Sequence, residues 1–163
     1  RLTDRLGLYT VNPNCNKPPF GDKLKRGIKE ACDKTKPGTK CHRALSNISF
    51  MTSGDETKIP DCFNKSCNGK QPLNCDDCLE HCAQVNPGFG VSPITIGAGT
   101  SSSCPNANGL GFGETIFHET LHVCGLASEP DWCGWQASLF RFAEKTCFGW
   151  RSPLAPPRGS PCR

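Results

Sequence analysis

The chain reads as a single α+β domain, mainly helical, with a small sheet and long loops stapled by disulfides. Three observations predict this. The 163 residues suffice for one core and not comfortably for two, so residues 1–163 are expected to form one unit. With 36% hydrophobic residues, 17 Gly and 14 Pro, regular structure should be modest and the connections long. Cysteines occur 13 times, from Cys15 to Cys162, and so many spread over the whole length predict disulfides, an oxidising compartment, up to six bridges and one unpaired thiol.

The elements follow in order. Residues 1–22 hold Leu6, Leu8, Tyr9 and Val11 before a Pro-rich stretch, which fits a short strand leading into a loop. Residues 22–34 read as a helix capped by Asp22, with Leu24, Ile28, Ala31 and Cys32 on one face and lysines on the other. Residues 41–51 are helical or strand-like, with Leu45, Ile48 and Phe50 as buried candidates. Residues 52–74 are polar and turn-rich, held by Cys62 and Cys67. Residues 75–85 read as a short helix, because Cys75, Cys78, Leu79 and Cys82 recur at helical spacing. Cys75 and Cys78, with His81 and Cys82 nearby, are also the alternative metal cluster, although no second C-x-x-C completes a zinc-finger spacing.

Val91, Ile94 and Ile96 predict a strand that is either an ordinary sheet member or an edge onto which an extended peptide adds. A flexible connection covers residues 97–111. A helix follows over residues 117–124 and stops at Gly125, with Phe117, Leu121 and Cys124 forming its apolar face. A second helix is expected over residues 129–145, with Ser128 as cap, Asp131 at its third position, and Trp132, Leu139, Phe140 and Ala143 buried. The Pro-rich remainder to Arg163 is expected to be irregular.

The first of these two helices carries His118-Glu119-Thr120-Leu121-His122, a His-Glu-x-x-His. With 4 His in the chain, chance supplies roughly 0.004 such patterns, so coincidence is a poor explanation. Histidines four apart share a helix face one turn from each other and can reach one zinc ion, while Glu119 beside them suits a general base. Catalytic zinc takes three protein ligands and leaves one position open, so a third donor is required. Glu129 and Asp131 follow His122 by seven and nine residues and are the candidates, whereas His42 and His81 are remote in sequence. Ser128 stands where a metzincin would carry its third histidine, which disfavours that class.

Over about residues 113–135 the sequence resembles the aspzincin metallopeptidases, the deuterolysin and peptidyl-Lys endopeptidase group. Their His-Glu-x-x-His is followed by Gly-Thr-x-x-Asp-x-x-Tyr-Gly, and here Ala127-Ser128-Glu129-Pro130-Asp131 stands at the Gly-Thr-x-x-Asp positions. The resemblance implies a zincin-like fold, one catalytic Zn2+, a protein or peptide substrate, and Asp131 as third ligand. Gly134-Trp135 lies near the Tyr-Gly site, so the tyrosine that helps stabilise the oxyanion in that family has no counterpart. Asp131 as a capping residue, with Glu129 as the ligand, is the alternative.

The expected function is therefore zinc-dependent endoproteolysis outside the cytosol, secreted or periplasmic. Two rivals belong to other classes. Thr3-Asp4-Arg5-Leu6-Gly7-Leu8 resembles the Asp-Pro-Leu-Gly-Leu junction preceding toxin domains of Rhs-type proteins, which implies a delivered toxin restrained by a cognate inhibitor or immunity protein. The other is a non-catalytic cysteine-rich module with a closed zinc site. A net charge of +4 without interleaved aromatics argues against nucleic-acid binding, and no apolar run approaches membrane-spanning length.

Overall fold

The computed structural model describes residues 2–3, 9–77, 79, 82–85, 93–97, 112–126 and 135–149. They form a mixed α+β arrangement, mostly helical, with a small sheet and four disulfides among the described cysteines whose two partners are both placed. No described helix is long and apolar enough to cross a membrane.

The sheet contains β1 (Leu2–Thr3), β2 (Thr10–Val11), β3 (Pro72–Asp76), β4 (Ala83–Val85) and β5 (Ile94–Gly97). Their order is β1-β2-β3-β5-β4, with parallel pairing in the middle and antiparallel pairing at each end. The predicted helix over residues 75–85 is thus corrected, among its described residues, to the end of β3 and to β4. Its helical cysteine spacing has another cause, since Cys75 is bonded to Cys15 and Cys82 is also in a disulfide. Cysteine positions answer to their bonding partners before they answer to helix periodicity. The same bond takes Cys75 out of the alternative metal cluster. The predicted strand near Val91 is found as β5, but in the sheet interior between β3 and β4, so the peptide-pairing edge is not there.

Helix α1 (Gly21–Lys34) buries Leu24, Ile28, Ala31 and Cys32, the face that the sequence spacing marks. Asp22 lies inside its first turn and is not the cap, which is Phe20. Helix α2 (Lys40–Ser53) resolves the ambiguity over residues 41–51 in favour of a helix. Thr39 Oγ1 caps it by accepting from the His42 amide, and Leu45 and Ile48 are buried. Phe50 is instead 61% exposed, because it sits two residues past Ile48 and so on the opposite side of the helix.

The polar stretch expected to be turns contains α3 (Lys58–Lys65). Ser49, fully buried on α2, explains it: its hydroxyl accepts the Ile59 amide at 3.0 Å, which satisfies an orphan donor at the helix start, and Ile59 and Phe63 then fill the core.

Helix α4 (Phe112–Val123) lies between two cores. Phe112 and Ile116 join a core made with α1 and the sheet, whereas Phe117 and Leu121 join one made with α2, α3 and α5 (Trp135–Phe148). Every residue from Phe112 to Leu121 is buried, as expected for a helix enclosed on all sides rather than a surface helix. Helix α5 is described over Trp135–Phe148, and residues 127–134, where the predicted start at 129 and the Ser128 cap fall, lie outside the described residues.

The disulfides join these layers across 35 to 106 residues: Cys15–Cys75, Cys32–Cys67, Cys41–Cys147 and Cys62–Cys124. On the chain-entropy account each contributes about 4–5 kcal/mol, less where the closed loops overlap. Contributions of that size offset part of the ordering entropy of the chain.

Helices α1 and α4 touch at Gly27 and Gly113. A Cβ on Gly27 would lie 2.7 Å from the Gly113 amide nitrogen and 2.9 Å from the Phe112 carbonyl carbon, both backbone atoms that cannot step aside. Gly27→Ala gains about 1 kcal/mol of helix propensity. Overpacking of this kind costs about 1–3 kcal/mol, so a net loss is expected. Denaturant unfolding of the oxidised protein should show a lower midpoint for Gly27→Ala; an unchanged or higher midpoint would contradict the close contact.

Candidate metal centre

Residues from α4 and α5 meet at the site. Gly125 ends α4 with φ of 108°, a conformation that favours glycine, and the chain closes there through Gly125 N–H to His122 O at 3.1 Å and Leu126 N–H to Leu121 O at 3.1 Å. These are the paired bonds of a Schellman turn. The turn carries the Leu126 carbonyl back to 3.3 Å from His122 Nδ1. Cys124 is bonded to Cys62 on α3, fixing the same turn from outside.

His118 and His122 come together with their Nε2 atoms 3.2 Å apart and their rings nearly perpendicular, at 77°. The opposite nitrogens determine what these atoms carry. His118 Nδ1 lies 2.7 Å from Glu144 Oε1 on α5, and His122 Nδ1 faces the Leu126 carbonyl. A carboxylate and a carbonyl only accept, so each Nδ1 is placed to donate its ring proton, and in that tautomer each ring turns its Nε2 toward the same point.

Two lone pairs at this separation repel unless a cation lies between them. Zinc at about 2.0–2.1 Å from each nitrogen would subtend an angle of about 100°, near the tetrahedral value. The donor pair therefore fits zinc in both chemistry and spacing. A proton shared between the rings is the other cation that the spacing admits.

Glu119 lies between the histidines in sequence and is 8% exposed. Glu129 and Asp131, the predicted third donors, lie outside the described residues, as does His81. Among the described residues no group of three His, Cys, Asp or Glu forms a metal cluster. His42 is on α2, where its amide takes part in the helix cap.

Three contributions to the site escape the sequence reading, which places Phe140 only as a buried residue of the second helix and Tyr9 only in a short strand. Glu144 is 1% exposed and follows Phe140 and Ala143 along the buried stripe of α5. A carboxylate on an apolar stripe is the signal that could have found it. Phe140 places its ring 4.9 Å from His118 and 4.5 Å from His122, centroid to centroid. Tyr9, also buried, is within 2.8 Å of Thr120 Oγ1, whose hydroxyl donates to Ile116 O, so the strand region is tied to the motif helix. Burial pushes the Tyr9 phenol up to about 12 and keeps it protonated.

Comparison with known protein families, curated proteins and solved structures gives no match to this chain. Its chemistry is accordingly read from its own residues.

One turn before His118, Glu114 is 7% exposed and its Oε2 has no hydrogen-bond partner among the described residues. Burial, reinforced by Glu30 and opposed by Lys34, pushes its carboxyl up to about 6. A raised folded-state value means that the penalty on the charged form is absent below about 4.5 and fully present above about 6. Allowing for solvent screening, Glu114→Gln should stabilise the protein by about 1 kcal/mol at pH 7.5, with the gain vanishing toward pH 4.5. Thermal melts across that range check this, and a pH-independent difference would contradict it.

Proposed function

We propose that the chain is a zincin-like zinc metalloendopeptidase acting outside the cytosol. His118, His122 and Asp131, with Glu129 as alternative third donor, would hold one zinc ion. The observation that carries this is the pair of Nε2 atoms brought 3.2 Å apart by one turn of the motif helix. Four disulfides support an oxidising setting.

Bound there, zinc supplies a Lewis acid for a peptide carbonyl and lowers the pKa of a water molecule. Glu119 takes a proton from the attacking water and delivers it to the departing amine. Burial of Glu119 keeps bulk water from competing for that transfer. The substrate is a protein or peptide in extended form. Of the sheet's two ends, β4 is the one packed against α4, and it is the edge we assign to backbone pairing with substrate in place of β5.

Glu119→Gln should retain one zinc per chain while digestion of a mixed peptide pool, followed by mass spectrometry with and without chelator, falls by about 100- to 10,000-fold. Retained cleavage would remove Glu119 as the base, and chelator-resistant cleavage would remove the metal from the reaction.

A further inference from the structure

The motif helix supplies both imidazoles, yet the face that holds them belongs to α5. Phe140 and Glu144 are four residues apart and so lie one above the other on that helix. The Phe140 ring lies against both imidazoles, at centroid separations of 4.9 and 4.5 Å. The Glu144 carboxylate reaches His118 Nδ1 at 2.7 Å and is 1% exposed. Burying a carboxylate in an apolar stripe is unfavourable unless it meets a partner, so packing alone does not account for an acid at this position. Helix α5 is itself anchored close by: Cys147, three residues past Glu144, is bonded to Cys41 on α2, and Lys34 Nζ of α1 donates to the Cys147 carbonyl at 3.1 Å.

We propose that Phe140 and Glu144 are positioning residues that make α5 the second half of the metal centre. Glu144 holds His118 as the Nδ1–H tautomer, the one whose Nε2 can ligate the ion. Phe140 stops both rings from rotating away. Neither residue touches the metal. Resting on the zinc assignment above, this names the residues that set its affinity. An acceptor behind a ligating histidine fixes the ring tautomer and raises the basicity of the nitrogen facing the metal, and loss of such a partner typically weakens metal binding by about 10- to 100-fold.

The test uses the full oxidised chain with Glu144→Gln, Phe140→Leu and His118→Ala. Zinc affinity is read by competition with a chromophoric chelator, and the ring tautomer of His118 by nitrogen NMR shifts in the metal-free protein. Metal-free melting temperature serves as the control. Glu144→Gln should weaken zinc by about 10- to 100-fold, shift His118 away from the pure Nδ1–H form, and leave the melting temperature unlowered. Phe140→Leu should weaken zinc by a smaller factor without changing the tautomer.

Wild-type zinc affinity and tautomer in Glu144→Gln would overturn the positioning role while leaving the zinc assignment standing. Zinc binding that is absent in the wild type, or undiminished in His118→Ala, would overturn the zinc assignment and the affinity role with it. If Glu144→Gln does not fold, the wild-type spectrum decides, because an Nε2–H His118 in the metal-free protein overturns the proposal by itself.

Discussion

Two imidazoles meet with their Nε2 atoms 3.2 Å apart, and the surrounding structure holds both rings in place. In isolation the arrangement would not persist, since rotating one histidine about its side-chain bonds separates the rings at little cost. It persists because α4 is buried along ten consecutive residues and shared between two cores. The Schellman turn after His122 and the Cys62–Cys124 bond hold one end of the pair. Helix α5 holds the other through Glu144 and Phe140. Under the zinc proposal a cation between the rings would turn this contact into coordination, and the held geometry would serve as a preorganised half of the site.

Helix α4 also departs from the usual rule that apolar residues fill the interior. Glu114, Thr115, His118, Glu119 and Thr120 are all buried on it. Such concentration of polar groups lowers stability and is expected where function, not packing, dictates the residues. The apolar contacts of Phe117 and Leu121, each worth about 1.5–3 kcal/mol when fully buried, and the long-range disulfides compensate for it. The four disulfides thus tie together the helices and strands that bring the two histidines into contact.

Much of this is legible in the sequence wherever a single physical rule acts alone. The 3.6-residue period in α1 and the apolar face of α4 mark residues that are buried, and Gly125 marks the end of the motif helix. Reading fails where rules compete. Cys75 and Cys82 stand at helical spacing, but both are in disulfides, and strand pairing places Cys75 in β3 and Cys82 just before β4. Hydrophobicity assigns Phe50 to the core, although its position on α2 points it outward. Helix α3 escapes because its start is satisfied by Ser49 from another helix, a tertiary contact that no local pattern encodes. Glu144 escapes for a similar reason: 26 residues separate it from His118, and only packing of α5 against α4 brings them together.

The most direct test of the central claim is X-ray absorption at the zinc edge on the oxidised, zinc-loaded protein. The account predicts a four-coordinate ion with two imidazoles at about 2.0–2.1 Å and oxygen donors completing the shell. A shell of sulfur at about 2.3 Å, or a spectrum without imidazole scattering, would contradict it.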